Sequence, residues 1–106
     1  MKFRKNETQL VCIAKFYAVE GKEEQLLERL HGLSEQSHLE GACIRYELNQ
    51  NVKDARDITY IEKWYDQETF DAHCAKPYIV AFFNGGKPEF VEKFDVSLHK
   101  EIFVNY

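Results

Sequence analysis

Apolar and polar residues follow strand-like patterns in four stretches of the chain. Residues 9–17 are apolar on both faces, which is typical of a central strand covered above and below. Residues 42–49 alternate between apolar and polar side chains, as an edge or half-exposed strand does, and residues 49–56 form a polar hairpin loop. Residues 57–64 are rich in Ile, Thr, Tyr and Trp, and residues 92–102 alternate again, so both are predicted to be strands.

A helix is predicted between the first two strands. The segment 19–22 supplies a turn, and Leu26, Leu27, Leu30 and Leu33 then recur at helical spacing. Side chains with this spacing form one apolar stripe, so we expect this helix to pack on the sheet.

A second helical region begins directly after the third strand. Asp66 has the short acceptor side chain of an N-cap, and Glu68 favours the positive end of the helix dipole. Pro77 interrupts the pattern and is predicted to start a further helical segment that reaches Phe83. Residues 84–86 are predicted to end that segment, because glycine accepts the left-handed geometry of a C-cap.

The predicted order β-α-β-β-α-β indicates the α+β class and a ferredoxin-like antiparallel sheet with both helices on one face. In the usual strand order of this fold, 4-1-3-2, the first and third strands are central, which agrees with the apolar character of residues 9–17. That strand also carries apolar side chains on the face away from the helices. A second copy of the sheet is the natural cover, so we expect a homodimer that forms a dimeric α/β barrel.

Composition limits the class of protein. With 106 residues, the chain is predicted to be one domain, 1–106, preceded by a polar segment at 1–8. Its net charge is -4 with scattered basic residues, so no nucleic-acid partner is expected. No apolar run reaches the ~20 residues that span a bilayer, and no signal peptide is apparent, so a cytoplasmic protein without a membrane partner is expected. Cys12, Cys43 and Cys74 are widely spaced and indicate neither a disulfide framework nor a zinc site.

The junction between the third strand and the following helix carries the candidate chemistry. Tyr60, Glu62 and Trp64 share one face of the strand because successive side chains alternate. His73 lies on the same helix face as Phe70, three residues earlier. If the helix packs back onto the strand, a carboxylate, an indole and an imidazole converge in an apolar pocket.

Each of these side chains suits a particular role. His73 is the candidate general base, since an unperturbed imidazole titrates near ~6.5. Trp64 offers a flat wall and an N–H donor. Glu62 is expected either to pair with His73 and fix its tautomer or to have a raised pKa. Tyr46 and Tyr60 are expected to orient a substrate oxygen.

Structural explanations of the same residues remain open at this point. His73 fits a satisfied core histidine, Trp64 fits a core anchor, and Glu62 fits a bridge to a basic side chain at the dimer interface. No two histidines have the spacing of metal ligands, so no metal site is expected.

The sequence resembles the antibiotic biosynthesis monooxygenase (ABM) domain family of the dimeric α/β barrel superfamily. The resemblance rests on residues 19–24, on residues 40–48 and most specifically on residues 61–66 followed by His73 and residues 76–78. It covers about residues 9–100. Each motif alone is loose, but their order and spacing together are specific.

The resemblance implies a homodimer and a cofactor-free monooxygenase that uses dioxygen on small aromatic quinols or polyphenols. The family also includes an isomerase of a phosphorylated quorum-signal sugar, and a non-catalytic dimeric binder of an aromatic ligand is a third alternative. Tyr78 stands where members often have a second histidine, and residues 78–83 lack the histidine that haem-degrading relatives use. The expected catalytic residues are His73, Glu62 and Trp64, and the expected substrate contacts are Tyr46, Tyr60, Tyr78 and Phe82.

Overall fold

A computed structural model describes residues 2–105 of the chain and has an α+β architecture. Within that range, no helix combines the length and apolarity needed to cross a membrane. The strands are β1 (Lys2–Lys5), β2 (Leu10–Ala18), β3 (Cys43–Asn51), β4 (Asp54–Trp64), β5 (Val91–His99) and β6 (Ile102–Asn105). The helices are α1 (Glu23–Ser37), α2 (Gln67–Cys74), α3 (Pro77–Ala81) and α4 (Lys87–Phe90), with a π-helical turn (Phe82–Gly86) between α3 and α4.

Four strands form one antiparallel sheet in the order β3-β4-β2-β5. This order confirms the predicted ferredoxin-like topology, with the first and third predicted strands in the centre. The register places Glu62 of β4 opposite Cys12 of β2 on one side and opposite Tyr46 of β3 on the other. Three different strands therefore meet in one row of side chains.

The core lies on one face of this sheet. Alternate residues of β2 and β4 are buried there, among them Phe16 and Ile58, and α1 packs on them through Leu26, Leu30 and Leu33. Burying each such side chain contributes roughly 1.5–3 kcal/mol. The predicted leucine stripe is therefore the surface that fixes the helix on the sheet.

The opposite side of the sheet, which we call the open face, has a different character. Its central positions are Val11 and Ile13 of β2 and Ile61 and Lys63 of β4, and all four are half-buried. Ile13 and Ile61 are partners in the β2–β4 register. The same strands thus carry an apolar core on one face and a mixed apolar and charged surface on the other.

Two predicted boundaries are wrong in the helical and hairpin regions. The hairpin loop predicted at residues 49–56 is only a turn, because β3 continues to Asn51 and β4 begins at Asp54. The predicted stop at residues 84–86 is a π-helical turn that leads into α4. Gly86 there has a right-handed φ of -70°, and an added Cβ would lie 2.9 Å from the side chains of Arg29 and Phe82. This glycine permits close packing rather than a left-handed cap.

The last predicted strand, residues 92–102, is also divided. β5 ends at His99, and β6 pairs antiparallel with β1 as a separate ribbon of two strands. The backbone N–H of Asn6 donates to the carbonyl of Glu101 at 2.8 Å. The polar N-terminal segment predicted at residues 1–8 therefore contributes a strand, which its composition does not indicate.

Candidate functional site

The strand–helix junction has the predicted cap. The carboxylate of Asp66 accepts the backbone N–H of Thr69 at 2.8 Å, and the Thr69 hydroxyl accepts the backbone N–H of Asp66 at 3.1 Å. Such a reciprocal cap stabilises a helix start by roughly 1 kcal/mol. It starts α2 immediately after β4, so that Phe70 and His73 are buried against the sheet.

A cavity of about 420 Å³ lies between the sheet and the helices. Four of the predicted site residues line it, and four phenylalanines form much of its apolar wall. The predicted residues are Tyr46, Tyr60, Glu62 and His73. The phenylalanines are Phe16, Phe70, Phe83 and Phe94.

His73 is held by a carboxylate that the sequence reasoning did not assign. Its Nδ1 lies 2.7 Å from Oε2 of Glu40, which also accepts a hydrogen bond from the Tyr78 hydroxyl. Burial lowers the pKa of His73, although the nearby Glu40 carboxylate opposes this effect. The imidazole is therefore neutral at neutral pH, and it donates Nδ1–H to Glu40. Nε2 is left with a lone pair and, within residues 2–105, no hydrogen-bond partner.

Glu62 is a buried carboxyl group on the cavity wall, with 4% of its surface exposed. It accepts a hydrogen bond from Nε1 of Trp64 at 2.9 Å. Burial raises the pKa of Glu62 to about 7, with a smaller contribution from Glu40, and the Trp64 bond opposes the rise. A substantial fraction of Glu62 is thus protonated at neutral pH.

The two expectations for Glu62 have opposite outcomes. The raised pKa is confirmed, whereas the predicted pairing with His73 is wrong, because Glu40 occupies that position. The physical reason is that β4 turns Glu62 towards the apolar, helix-covered side of the sheet.

Trp64 packs against His73 behind the cavity wall. It is fully buried, and its ring centroid lies 4.3 Å from that of His73 with a tilt of 35°. It is outside the cavity lining, so the expected flat wall for a substrate is wrong. Its N–H is a donor, as expected, but to Glu62 rather than to a ligand.

The two tyrosines of the sheet stand side by side in the cavity wall. The rings of Tyr46 and Tyr60 are 4.6 Å apart, and Tyr46 meets His73 edge-on at 5.6 Å. The Tyr60 hydroxyl donates to the carbonyl of Leu30 and accepts from Ser34 at 3.1 Å. Burial raises the pKa of both phenols, so both are neutral.

Tyr78 and Phe82 lie outside the cavity lining. Tyr78 bonds Glu40 and lies 3.3 Å from the Ser37 hydroxyl, so it holds the carboxylate that orients His73. Phe82 is buried in the core, 5.9 Å from Phe16. The π-helical turn instead brings Phe83 to the cavity, one residue later than expected.

Sequence reasoning missed Glu40 because the residue lies in a short polar connection between α1 and β3, which resembles a solvated loop. One signal was present. The predicted strand order puts β3 beside β4, so the start of β3 lies near the end of β4 and the helix that follows. A carboxylate directly before β3 therefore reaches the same region as His73.

The side chains of the site also bear on metal binding. Across residues 2–105, no group of three or more His, Cys, Asp or Glu side chains is arranged to hold a metal ion. The polar groups of the cavity are instead one carboxyl, one imidazole, two phenols, two thiols and an amide, contributed by Glu62, His73, Tyr46, Tyr60, Cys12, Cys74 and Asn84.

The comparison with protein families matches residues 9–85 to the model described as antibiotic biosynthesis monooxygenase. The chain belongs to the antibiotic biosynthesis monooxygenase (ABM) family. The matched range contains β2 to α3 and all the site residues discussed above except Phe94. The predicted resemblance is thereby confirmed.

Solved structures agree with the ABM assignment. A protein from Shewanella oneidensis is 39% identical, with a TM-score of 0.95, over 97% of this chain and 100% of that chain. A protein from Pseudomonas aeruginosa is 25% identical, with a TM-score of 0.83, over 90% and 95% of the two chains. A structure described as an antibiotic biosynthesis monooxygenase has the same fold at 24% identity, with a TM-score of 0.78 over 85% and 95%. A search of curated proteins gave no match.

Proposed function

We propose that this ABM protein is a cofactor-independent monooxygenase of small aromatic quinols or polyphenols. The observation that carries the proposal is the neutral imidazole of His73, held at Nδ1 by Glu40 and free at Nε2, in the wall of an apolar cavity. A base with this geometry accepts a proton from a bound phenol.

The reaction requires the substrate to supply the electrons. A quinol that loses a phenolic proton becomes electron-rich enough to react directly with dioxygen. One oxygen atom enters the ring, the other leaves as water, and the quinol is oxidised to a hydroxyquinone. Hydrogen is balanced as well, because the two hydrogens of the water come from the quinol.

The chain's own residues take separate steps in this proposal. His73 removes the phenolic proton through Nε2, and Glu40 stabilises the imidazolium that forms. Glu62, which is partly protonated near neutral pH, donates a proton to the oxygen that leaves as water. The phenylalanine wall excludes bulk water from the anion before dioxygen reacts.

The cavity disfavours the alternative of a phosphorylated sugar isomerase. A phosphate group needs cationic partners, and the lining of the cavity contains neither lysine nor arginine within residues 2–105. Glu62 adds partial negative charge at the same place. An uncharged aromatic substrate avoids this repulsion.

A homodimer belongs to the same proposal. Val11, Ile13 and Ile61 form an apolar centre on the open face, and a second copy of the sheet buries it by two-fold symmetry. Ile61→Lys places two charges in that interface, one from each subunit. We expect the variant to keep its circular dichroism spectrum and to elute as a monomer, whereas an unchanged mass places the interface elsewhere.

Oxygen uptake tests the catalytic proposal. We expect quinol-dependent uptake by the wild type and a loss of at least ~100-fold in kcat/KM for His73→Ala. His31→Ala is the matched control, because His31 also pairs with a glutamate, Glu35, but on the exposed surface of α1. Equal rates for wild type and His73→Ala remove His73 from the mechanism. Binding of quinols without any oxygen uptake indicates a non-catalytic binder.

A further inference from the structure

The cavity has a buried end that carries polar groups and an exposed mouth that carries aliphatic side chains. Glu62, His73 and Tyr46, the polar groups near the candidate base, are each 5% exposed or less. By contrast, two other lining residues, Val80 and Val96, are 43% and 47% exposed. The other exposed lining residues are Cys74 and Asn84. Since the exposed lining residues define the entrance, a ligand passes two aliphatic side chains, a thiol and an amide before it reaches the buried polar groups.

This entrance continues beyond the cavity as a wider apolar surface. Leu98 is 44% exposed and lies two residues after Val96 on the same face of β5. In the register, Val96 is opposite Ala14 and Leu98 is opposite Cys12, so both belong to the helix-covered side of the sheet. We call Val80, Val96 and Leu98 the apolar rim.

The size of the cavity also exceeds the needs of one ring. A cavity of ~150 Å³ holds one benzene molecule, and this one has about 420 Å³. Phe83 and Phe94, whose centroids are 5.2 Å apart, line the space between the closed end and the rim. The remaining volume is therefore largely apolar, and it is open towards Cys74, Val80, Asn84 and Val96.

We propose that the ligand is a phenol or quinol with an extended apolar substituent, which lies along the apolar rim while the ring hydroxyl reaches His73. This proposal rests on the proposed function for the site and adds the class of substituent. Exposed aliphatic side chains that are continuous with a buried apolar wall gain free energy when a ligand covers them. The rim lies on the side of the sheet opposite the open face, so a dimer formed through the open face leaves it accessible.

Binding of para-alkylphenols, from methyl to hexyl, tests the proposal without any turnover. Trp64 is the only tryptophan in the chain and contacts His73, so its fluorescence reports occupancy of the closed end. We expect Kd to fall by up to ~4-fold for each added methylene until the rim is covered. A Kd that is independent of chain length in the wild type overturns the proposal.

Variants of the apolar rim test whether the dependence of Kd on chain length arises there. Val80→Asn and Val96→Thr are expected to reduce the gain for each methylene to less than ~2-fold, whereas a variant away from the rim keeps the full gain. Val52→Asn is the matched control, because Val52 is 97% exposed in the β3–β4 turn. If the rim variants change the mass in solution and keep the chain-length dependence, the rim is a subunit interface and the proposal is wrong.

The two proposals fail in different ways. Chain-length-dependent binding without quinol oxidation contradicts the proposed monooxygenase activity and supports the proposed class of ligand. The opposite result is oxygen uptake at the same kcat/KM for methyl- and hexyl-substituted quinols, together with a Kd that does not depend on chain length. It supports the monooxygenase activity and contradicts the proposed class of ligand.

Discussion

The two faces of the sheet come from the same strands, yet they have different physical chemistry. On the helix-covered face, Glu62 is removed from water and its pKa is raised to about 7. On the open face, its neighbour Lys63 is paired with Glu101 at 2.7 Å and keeps contact with solvent. A shift of one residue along β4 separates a candidate proton donor from a surface ion pair.

Burial, and not residue type, creates the candidate chemistry. His31 and His73 each pair with a glutamate, at 3.1 Å and 2.7 Å, but only His73 is enclosed by aromatic rings. Water competes for every polar group around the exposed pair. The buried pair has a fixed tautomer and a free nitrogen, which are the two properties a base needs.

Removal of an aromatic ring from the covered face is expected to have the largest effect. Phe16 is 3% exposed and packs against Tyr60, Phe82 and Phe94 at centroid distances of 6.0, 5.9 and 4.9 Å. Phe16→Ala is expected to lower the free energy of unfolding by ~3–5 kcal/mol, because it leaves a cavity in the core. Chemical denaturation measures this loss, and exposed Val52→Ala should stay within ~0.5 kcal/mol of wild type. A loss for Phe16→Ala as small as that of the control contradicts the assigned core.

Glu62→Gln tests how the buried carboxylate of Glu62 changes the free energy of unfolding with pH. The folded pKa of about 7 exceeds the reference value of 4.5, so the native state holds a proton that the unfolded state releases. The stability that Glu62 contributes is complete below pH 4.5 and is lost as the pH rises through 7. As the pH rises between these limits, the free energy of unfolding of Glu62→Gln should therefore increase by about 3 kcal/mol relative to that of wild type, at ~1.36 kcal/mol for each pKa unit.

The measurement is denaturant unfolding at a series of pH values. Trp64→Phe is the control, because it keeps Glu62 and removes the N–H donor that lowers its pKa. In that variant the loss of stability should extend to higher pH. Parallel pH profiles for wild type and Glu62→Gln disprove the raised pKa.

Glu40→Gln tests whether the buried histidine–glutamate pair differs in function from the exposed one. Loss of a hydrogen bond to a charged group costs about 1.5–3 kcal/mol, so kcat/KM for quinol oxidation should fall ~10- to 100-fold. The Glu40 carboxylate raises the pKa of His73 against burial, so its removal lowers that pKa further. Activity is lost as the pH falls through the pKa of the base, and the acid limb of the kcat/KM profile should therefore move to lower pH.

Glu35→Gln, which alters the exposed pair with His31, is the matched control and should leave both the rate and the pH profile unchanged. A Glu40→Gln variant with reduced kcat/KM but an unmoved acid limb points to a structural role for Glu40 alone.

The smallest effect is expected on the open face. Lys63 and Glu101 form an ion pair with side chains 15% and 30% exposed, and such a pair contributes ~1 kcal/mol or less. Lys63→Met should therefore lower the free energy of unfolding by no more than that, and the difference should shrink in high salt. Lys100→Met, at the more exposed pair with Glu7, is expected to have a still smaller effect. A loss above ~3 kcal/mol for Lys63→Met means that the open face contributes as much to the free energy of unfolding as the covered face and contradicts the difference between them.

Local pattern explains which parts of the fold were predictable. The strand order followed from the predicted order of the elements and agreed with the apolar character of residues 9–17, and the α1 contact followed from the leucine spacing, because these patterns are properties of neighbouring residues. The ribbon of β1 and β6 was not predictable in this way. Its strands are short and lie at opposite ends of the chain, so their pairing has no local signal.

The sequence was sufficient to predict the ferredoxin-like fold, the cap at Asp66 and the strand and helix faces on which Glu62 and His73 lie. Their burial and their partners depend on the tertiary structure. Glu40 rather than Glu62 bonds His73, and Phe83 rather than Phe82 lines the cavity. The physical reason is that periodicity sets the face on which a side chain lies, whereas hydrogen bonds depend on distances of a few ångströms between segments far apart in the chain.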